Sequence, residues 1–344
     1  MSDPLIAENL ACQYGNDLIV DGADLALQPS SITALLGQSG AGKSTLLRML
    51  AGLERPRSGT VRLGRSVLSS PNTMVRPEER RIGLIFQDFA LFPHLNAIEN
   101  VRFGLASVSK IEGQSIAADW LGKLGLADRK DAFPHQLSGG EQQRVAIARA
   151  LAPEPIAILM DEPFSGLDPS LRQDVRDVAV EAIKAVEIPA LIVTHDAEEA
   201  MLLADKIAIM HRGRIIQHGL PDELYRSPSS AIVAAALGPV SDVPGHLNGQ
   251  GLVDTPFGAL SFPDGEKGRI YKVVIRPEAV TLGAGKGVDA EIISSRRLGH
   301  VYQIELSAGG HRIAAWTSAP NAARTGDIVQ VSLKQDGCFV FPAD

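Results

Sequence analysis

The sequence predicts a two-part chain: an α/β domain built on a buried parallel sheet, followed by a smaller β-rich domain. Three observations carry this reading. Short apolar runs rich in β-branched residues recur between helical patterns at residues 32–36 (ITALL), 82–86 (IGLIF), 156–162 (IAILMDE) and 190–194 (ALIVT). The 3.6-residue apolar period is clear in residues 172–186 (RQDVRDVAVEAIKAV). From Pro239 the chain turns rich in glycine and proline, and short runs at 270–275, 290–293, 302–306 and 328–333 replace the helices. Those runs read as strands of a small barrel of the oligonucleotide-binding (OB) type. The expected division is residues 1–238 and 239–344.

Bulk properties narrow the class. With 344 residues, 45% hydrophobic and 21% charged, the chain can build two cores and is not a disordered polymer. The net charge of −7 argues against a broad nucleic-acid-binding surface, and no nucleic-acid partner is expected. The mixed run 76–81 (RPEERR) reads as a solvated face. No apolar stretch has the length of a membrane span, residues 231–237 being among the longest. The amino-terminal MSDPLIAENL lacks a basic region and a long apolar region, so no signal peptide is expected. Two cysteines, Cys12 and Cys338, sit far apart without paired spacing, which suits a reducing cytosol and structural thiols.

Directly after the run ITALL comes GQSGAGKST: Gly37, Gln38, Ser39, Gly40, Ala41, Gly42, Lys43, Ser44 and Thr45. Three glycines make a poor helix or strand, yet LLRMLAGL behind them has helical composition. Strand, glycine loop and helix at G-x-x-x-x-G-K-[ST] spacing form the phosphate-binding loop pattern in its required context. Glycines let backbone amides curl around a polyphosphate, and the helix start adds its positive dipole end. Lys43 is placed to reach the β- and γ-phosphates, and the Ser44 hydroxyl to coordinate Mg²⁺.

Three further strands end in groups suited to the same ligand. IAILMDE ends in Asp161 and Glu162 and resembles a Walker B element, whose carboxylate helps hold Mg²⁺. Neighbouring strand residues face opposite sides, so Glu162 can serve an attacking water only if the chain turns sharply there, before Pro163. ALIVT ends in His195, able to hydrogen-bond a γ-phosphate. IGLIF ends in Gln87, able to bond water or a metal-bound oxygen. Open α/β sheets place ligands at such carboxyl ends.

Residues 137–144, LSGGEQQR, start a further helix. Ser138 and Glu141 stand at S-x-x-E capping-box spacing, and Gly139 and Gly140 leave bare amides, a second anion-binding surface. One triphosphate needs one cradle, so two cradles per chain suggest two chains facing each other.

In this order the motifs resemble the ATP-binding cassette (ABC) family, over the whole chain. The resemblance implies a P-loop NTPase fold: a RecA-like core with an antiparallel β subdomain and a helical subdomain near residues 88–150, then a regulatory TOBE domain. It implies a homodimer that closes on two ATP with Mg²⁺. Ser138, Gly139 and Gly140 of one copy contact the γ-phosphate held by Gly37–Thr45 of the other. Asp168, in SGLD, runs along the seam and caps the helix starting at Pro169. Tyr14 stacks on adenine. Lys43, Glu162, His195 and Gln87 carry hydrolysis, and Ser44, Asp161 and Gln87 the metal. Glu141 stands where the family commonly has Gln; the capping box aims it back at the Ser138 amide, away from phosphate.

Residues 88–105 (DFALFPHLNAIENVRFGL) carry Phe89, Leu91, Phe92 and Leu95, a region that in the family receives a helix of the transmembrane permease. Ile116, Trp120 and Leu124 at helical spacing read as the core of the helical subdomain. The segment IRPE at 275–278 resembles the regulatory domain of importers of iron, sugar, polyamine and sulfate. VRPEERRIGLIFQDFALFPHL, SGGEQQRVAIARALAPEP and the late TSAP at 317–320 resemble bacterial ferric-iron importer ATPases. The resemblance implies a peripheral protein on the cytoplasmic side of the bacterial inner membrane, served indirectly by a solute-binding protein. Polyamine (spermidine or putrescine), sulfate and sugar import remain open as alternatives. So does a soluble cassette ATPase acting on ribosomes or DNA.

Overall fold

The computed structural model describes residues 3–105, 108–263, 265–266, 269–283, 287–318 and 324–343, without the side chains of residues 169 and 170. Residues 319 and 320 of the TSAP segment lie outside the described residues. The chain forms two compact units, Met1–Pro221 and Asp222–Asp344.

The first unit runs in chain order through β1 (Leu5–Tyr14), β2 (Asp17–Leu27), β3 (Ile32–Leu36), α1 (Lys43–Ala51), β4 (Ser58–Leu63), β5 (Ser66–Ser69) and β6 (Ile82–Ile85). Three helices follow: α2 (Ala97–Phe103), α3 (Lys110–Lys123) and α4 (Gly139–Leu151). Then come β7 (Ala157–Asp161), α5 (Pro169–Ala185), β8 (Ala190–Thr194), α6 (Ala197–Leu203), β9 (Lys206–His211) and β10 (Arg214–Gly219). Six strands pair in the order β10-β9-β3-β8-β7-β6. All neighbours from β9 to β6 are parallel, and β10 pairs antiparallel with β9. Every residue of β3 and β8 is buried, which is why these strands are continuous apolar runs rather than alternating ones. A second, antiparallel sheet has the order β2-β1-β4-β5. The two sheets share a core with α1, built from residues such as Leu10, Val20, Leu35, Leu46, Leu50 and Val193.

Two details depart from the sequence reading. Within RPEERR, five residues are at least partly exposed, but Arg80 is only 1% exposed. Its guanidinium donates to the carbonyls of Met49 (3.3 Å) and Leu50 (2.8 Å) in the last turn of α1. It also donates to Val75 O (3.0 Å), Leu68 O (3.2 Å) and the Ser69 hydroxyl. A buried cation is tolerated here because backbone acceptors replace its water and the carboxyl end of a helix favours positive charge. Burial lowers its pKa to about 10. Arg80 therefore ties the helix behind the glycine loop to the antiparallel sheet. Gly52, at φ 80°, ends α1 where a Cβ would stand 2.3 Å from the Arg80 Nε.

In α3 the fully packed face is Gly113, Ala117 and Leu121 with Leu124 behind it, whereas Ile116 and Trp120 are only half-buried. Small residues set this register: a Cβ at Gly113 would already lie 3.3 Å from Arg102 Cγ of α2. The larger Ile116 and Trp120 line a groove beside Leu151–Pro155 instead.

Two short helices follow, α7 (Pro221–Arg226), whose first residue closes the first unit, and α8 (Ala231–Ala236) in the second unit. Its ten strands are β11 (Ser241–Leu247), β12 (Leu252–Thr255), β13 (Gly258–Ser261), β14 (Ile270–Ile275), β15 (Val280–Leu282), β16 (Val288–Leu298), β17 (Val301–Ala308), β18 (His311–Thr317), β19 (Ile328–Leu333) and β20 (Cys338–Pro342). They form two five-stranded antiparallel sheets, β13-β12-β11-β14-β20 and β15-β19-β16-β17-β18. Val253, Val273 and Ile275 from one sheet and Ile292, Ile304, Leu306 and Val331 from the other share one core. This is the OB-like pattern expected from the sequence. Arg276 of IRPE is 1% exposed and stacks its guanidinium 3.6 Å from the Tyr225 ring centre on α7. Tyr225 in turn bonds Glu278. Both cysteines are buried and free, and burial pushes the thiol of Cys12 up and that of Cys338 up to about 12, which keeps them unreactive. No helix among the described residues is long and apolar enough to cross a membrane.

Arg80→Met is expected to destabilise the full-length chain by at least about 3 kcal/mol, because five acceptors, four of them in buried bonds, lose the guanidinium. Urea denaturation measures it; an unchanged midpoint would contradict the anchoring role.

Candidate functional site

Parallel register brings the strand ends together. Leu36 pairs with Thr194 across β3 and β8, Asp161 with Val193 across β7 and β8, and Ile85 with Met160 across β6 and β7. The residues that leave these ends are Gly37, His195, Glu162 and, two positions beyond β6, Gln87.

The glycine loop is shaped by its surroundings. A Cβ at Gly37 would sit 2.3 Å from the Met210 carbonyl on β9, so only glycine lets the loop leave the sheet there. Gly42 caps α1 at φ 102°, and a Cβ on it would stand 2.5 Å from the Ile19 carbonyl. Gln38, Ser39 and Gly40 form an exposed lip, Ala41 and Gly42 are buried, and Ser44 and Thr45 are half-buried. Lys43 is 6% exposed and donates to the carbonyls of Gly37 (2.7 Å) and Gln38 (3.1 Å). Burial lowers its pKa, and the charges of Glu162 and Asp161 oppose that shift. A buried ammonium that touches only carbonyls has room to improve its partners, and an incoming phosphate oxygen would do so.

The Ser44 hydroxyl and the Asp161 Oδ1 lie 3.0 Å apart. Burial first, and the neighbouring Glu162 charge as well, raise the Asp161 pKa. A hydroxyl beside a partly buried carboxylate short of positive charge is an oxygen donor set that fits a hard divalent cation such as Mg²⁺. Among the described residues no three His, Cys, Asp or Glu side chains are placed to hold a metal ion by themselves, so such an ion would depend on these oxygens and on phosphate.

Glu162 has φ 46°, a left-handed turn that redirects the chain right after Asp161. The turn is held by the Glu162 amide donating to Val193 O (2.9 Å) and by Ser165 bonding the Glu162 carbonyl (3.0 Å from the hydroxyl). It directs the Glu162 carboxylate to His195, whose Nδ1 lies 3.1 Å from Oε1. On either side of His195, the Thr194 hydroxyl donates to buried Glu199 (2.6 Å) and Asp196 caps α6 through the amides of Glu198 (2.9 Å) and Glu199 (3.1 Å). The Asp196 carboxylate also stands 4.0 Å and 3.9 Å from Arg172 and Arg176 of α5.

Gln87 is exposed, and Phe89, Leu91, Phe92 and Leu95 behind it are half-buried rather than core. Buried Asn100 of α2 fixes their backbone, exchanging bonds with Phe92 and donating to Leu95 O (2.9 Å) and Asn96 O (3.0 Å). Asp168 is exposed, and its carbonyl accepts from the amides of Leu171 (3.1 Å) and Arg172 (3.0 Å) at the start of α5. Tyr14 is 45% exposed and its hydroxyl donates to Glu54 (2.8 Å); loss of water around the phenol first, and this bond second, push it up to about 12.

The capping box at α4 is complete. Glu141 Oε2 accepts from the Ser138 amide (2.8 Å), and Ser138 Oγ accepts from the Glu141 amide (3.3 Å). The second Glu141 oxygen accepts from Arg129 Nε (3.1 Å). The bond to the Ser138 amide, with the nearby Arg129 and Arg144 charges, lowers the Glu141 pKa. Ser138 is exposed, Gly139 half-buried and Gly140 buried, where a Cβ would meet Val175 of α5 at 2.9 Å. Helix α4 packs on α2, α3, α5 and β6, whereas α1 packs on β1, β2, β7 and β8. The two helix starts thus belong to different parts of the unit.

Sequence reasoning missed Arg80, Asn100, Arg149 and Glu199. Arg149 breaks an apolar run, but Arg80 is hidden in a charged one and Asn100 and Glu199 sit in mixed ones; in each case the partner is not legible from spacing.

Comparison with known proteins adds the family context. A family profile described as ABC transporter matches residues 20–165, and one described as TOBE domain matches residues 273–341. The Fe(3+) ions import ATP-binding protein FbpC of Agrobacterium fabrum is 38% identical over 316 residues, spanning 89% of this chain and 88% of that one. The sulfate/thiosulfate import ATP-binding protein CysA of Mycobacterium bovis is 36% identical over 339 residues, spanning 96% and 92%. A dimeric post-hydrolysis state of the ATP-binding cassette MJ0796, bound to ADP and Pi, superposes with a TM-score of 0.56 at 28% identity, covering 63% of this chain and 98% of that one.

Glu141→Ala is expected to cost about 1 kcal/mol of stability by opening the capping box. Because the folded-state pKa is depressed, the contribution is full near neutral pH and fades as pH falls below the ordinary carboxylate range. Thermal melting of both chains at neutral and acidic pH checks this; a gap that does not narrow in acid would contradict it.

Proposed function

Since the chain belongs to the ABC transporter family, we propose that it is the ATP-hydrolysing subunit of a bacterial importer, and that its solute is ferric iron. Residues 1–238 bind nucleotide and residues 239–344 form the regulatory domain. The observation that carries the site assignment is the convergence of Lys43 with Ser44, Asp161 with Glu162, and His195 on adjoining ends of one parallel sheet. Ferric iron as solute is supported by several relatives named as Fe(3+) import proteins; the sulfate/thiosulfate relative keeps sulfate as the alternative.

The mechanism follows from the chain's own groups. The amides from Gly37 to Thr45 cradle the phosphates, and Lys43 exchanges its loop carbonyls for the β- and γ-phosphate oxygens. Tyr14 stacks on the adenine. Ser44, Asp161 and Gln87 are the residues that would hold Mg²⁺, which supplies positive charge against the developing phosphate charge. Glu162 orients the attacking water and accepts its proton, at the position its left-handed turn creates. His195, 3.1 Å from Glu162, hydrogen-bonds the γ-phosphate and so links its presence to the base.

The second anion surface, at Ser138, Gly139 and Gly140, starts a helix with different neighbours from those of α1. That separation supports a dimer in which each copy's α4 start meets the γ-phosphate held by the other, with Asp168 along the seam. Permease subunits dock near Gln87–Leu95, where half-buried Phe89, Leu91, Phe92 and Leu95 leave apolar surface for a helix. The protein then sits peripherally on the cytoplasmic face of the cell membrane, and a solute-binding protein acts on the far side.

Glu162→Gln is expected to bind ATP, accumulate closed dimers and lower turnover by at least a hundredfold. Size exclusion with ATP and phosphate release measure this, and near-normal turnover would remove Glu162 from the role. Uptake of labelled ferric iron and of labelled sulfate, in the native organism with and without Lys43→Ala, tests the solute. Selective loss of iron uptake is expected; loss of sulfate uptake alone would move the assignment to sulfate, and no loss of either would overturn both.

A further inference from the structure

The turn that follows Gln87 has an uncommon shape. Phe89 and Ala90 have φ of 61° and 47°, two left-handed residues in succession that both carry a Cβ. Such a turn persists only where its surroundings over-determine it. The Phe89 amide closes one side on Phe86 O at 3.0 Å, with Gln87 enclosed between them.

The other side is closed by Arg149. Its Nη2 donates to Phe89 O at 2.9 Å and its Nη1 to Ala90 O at 2.6 Å, so one planar guanidinium grips two consecutive carbonyls. The same guanidinium lies 5.7 Å from the Phe92 ring centre, and Phe92 packs on Phe103 of α2 at 4.3 Å between centres. A lysine here would offer a single point of charge and could not hold both carbonyls in that fixed geometry. Arg149 belongs to the last turn of α4, the helix whose first residues are Gly139 and Gly140. One end of this rigid rod carries the second anion surface; the other end grips the Gln87 turn.

We infer that Arg149 is a positioning residue that fixes the turn presenting Gln87 and fastens it to α4, so that Gln87 and Ser138–Gly140 move as one body. The inference rests on the proposed reading of this site as an ATPase. Arg149 is the one charged side chain in the otherwise apolar run VAIARAL, and the two carbonyls give its guanidinium partners there. The geometry of Lys43 and its loop does not depend on it, since α1 has other neighbours.

The test compares ATP turnover by the full-length chain and its variants Arg149→Met, Arg149→Lys, Gln87→Ala, Lys43→Ala and the double variant Gln87→Ala/Arg149→Met. Arg149→Met is expected to lower kcat at least tenfold with KM for ATP within threefold, and Arg149→Lys to fall between it and the parent. The double variant is expected to lie within twofold of Arg149→Met alone, because both changes remove the same positioned group. A kcat for Arg149→Met within twofold of the parent overturns the inference. So does a loss carried by KM, or one that multiplies with that of Gln87→Ala. If Arg149→Met fails to fold, Arg149→Lys against Gln87→Ala is read by the same criteria. Turnover by Lys43→Ala equal to the parent would sink the ATPase reading and this inference with it. Loss in Lys43→Ala with none in Arg149→Met sinks only the inference.

Discussion

Parallel pairing of β3, β8 and β7 is the constraint on which the rest depends. Three buried apolar strands side by side, with Leu36 opposite Thr194 and Asp161 opposite Val193, oblige the chain to leave the sheet at one edge. What leaves there is the glycine loop, the Asp161–Glu162 turn and His195. No loop has to search for its place; the register of a hydrophobic core delivers all three. Slipping any of these strands by one residue would turn its site group to the other face, so packing energy and site geometry are the same constraint.

Around that sheet two buried cations and one half-buried one are held by main-chain oxygens. Arg80 is tied to the last turn of α1, Lys43 to the carbonyls of its own loop, and Arg149 to the turn after Gln87. A carboxylate partner would fix a cation in place at the cost of neutralising it. Carbonyls satisfy the donors while leaving the positive charge unspent. For Arg80 and Arg149 that yields anchors; for Lys43 it leaves a charge ready for an anion. Burial lowers the pKa of all three.

Much of this was legible in the sequence. The apolar runs named the strands, their terminal polar residues are groups that the sheet brings side by side, and S-x-x-E spacing named a capping box that the structure contains. The requirement for a sharp turn at Glu162 is met by its left-handed φ. What could not be read depends on partners far along the chain. Arg80 looks like part of a solvated charge run until its acceptors, up to 31 residues away, are in view. Arg149 grips carbonyls 59 and 60 residues away. The stripe Ile116–Trp120–Leu124 satisfies helical periodicity, yet the packed face of α3 runs through Gly113, Ala117 and Leu121 because small residues let α2 approach. Periodicity gives a face to within one residue; close packing decides which residue.

In the proposed dimer a working site needs the glycine loop of one copy and the Ser138 helix start of another. Mixing two inactive chains, one carrying Lys43→Ala and the other Ser138→Arg, tests it most directly, with phosphate release as the readout. In a mixed dimer one composite site holds both lesions and the other holds none, so turnover should reappear on mixing. If each site were built within a single chain, every site in the mixture would still carry a lesion. Mixtures as inactive as their components would then contradict the account.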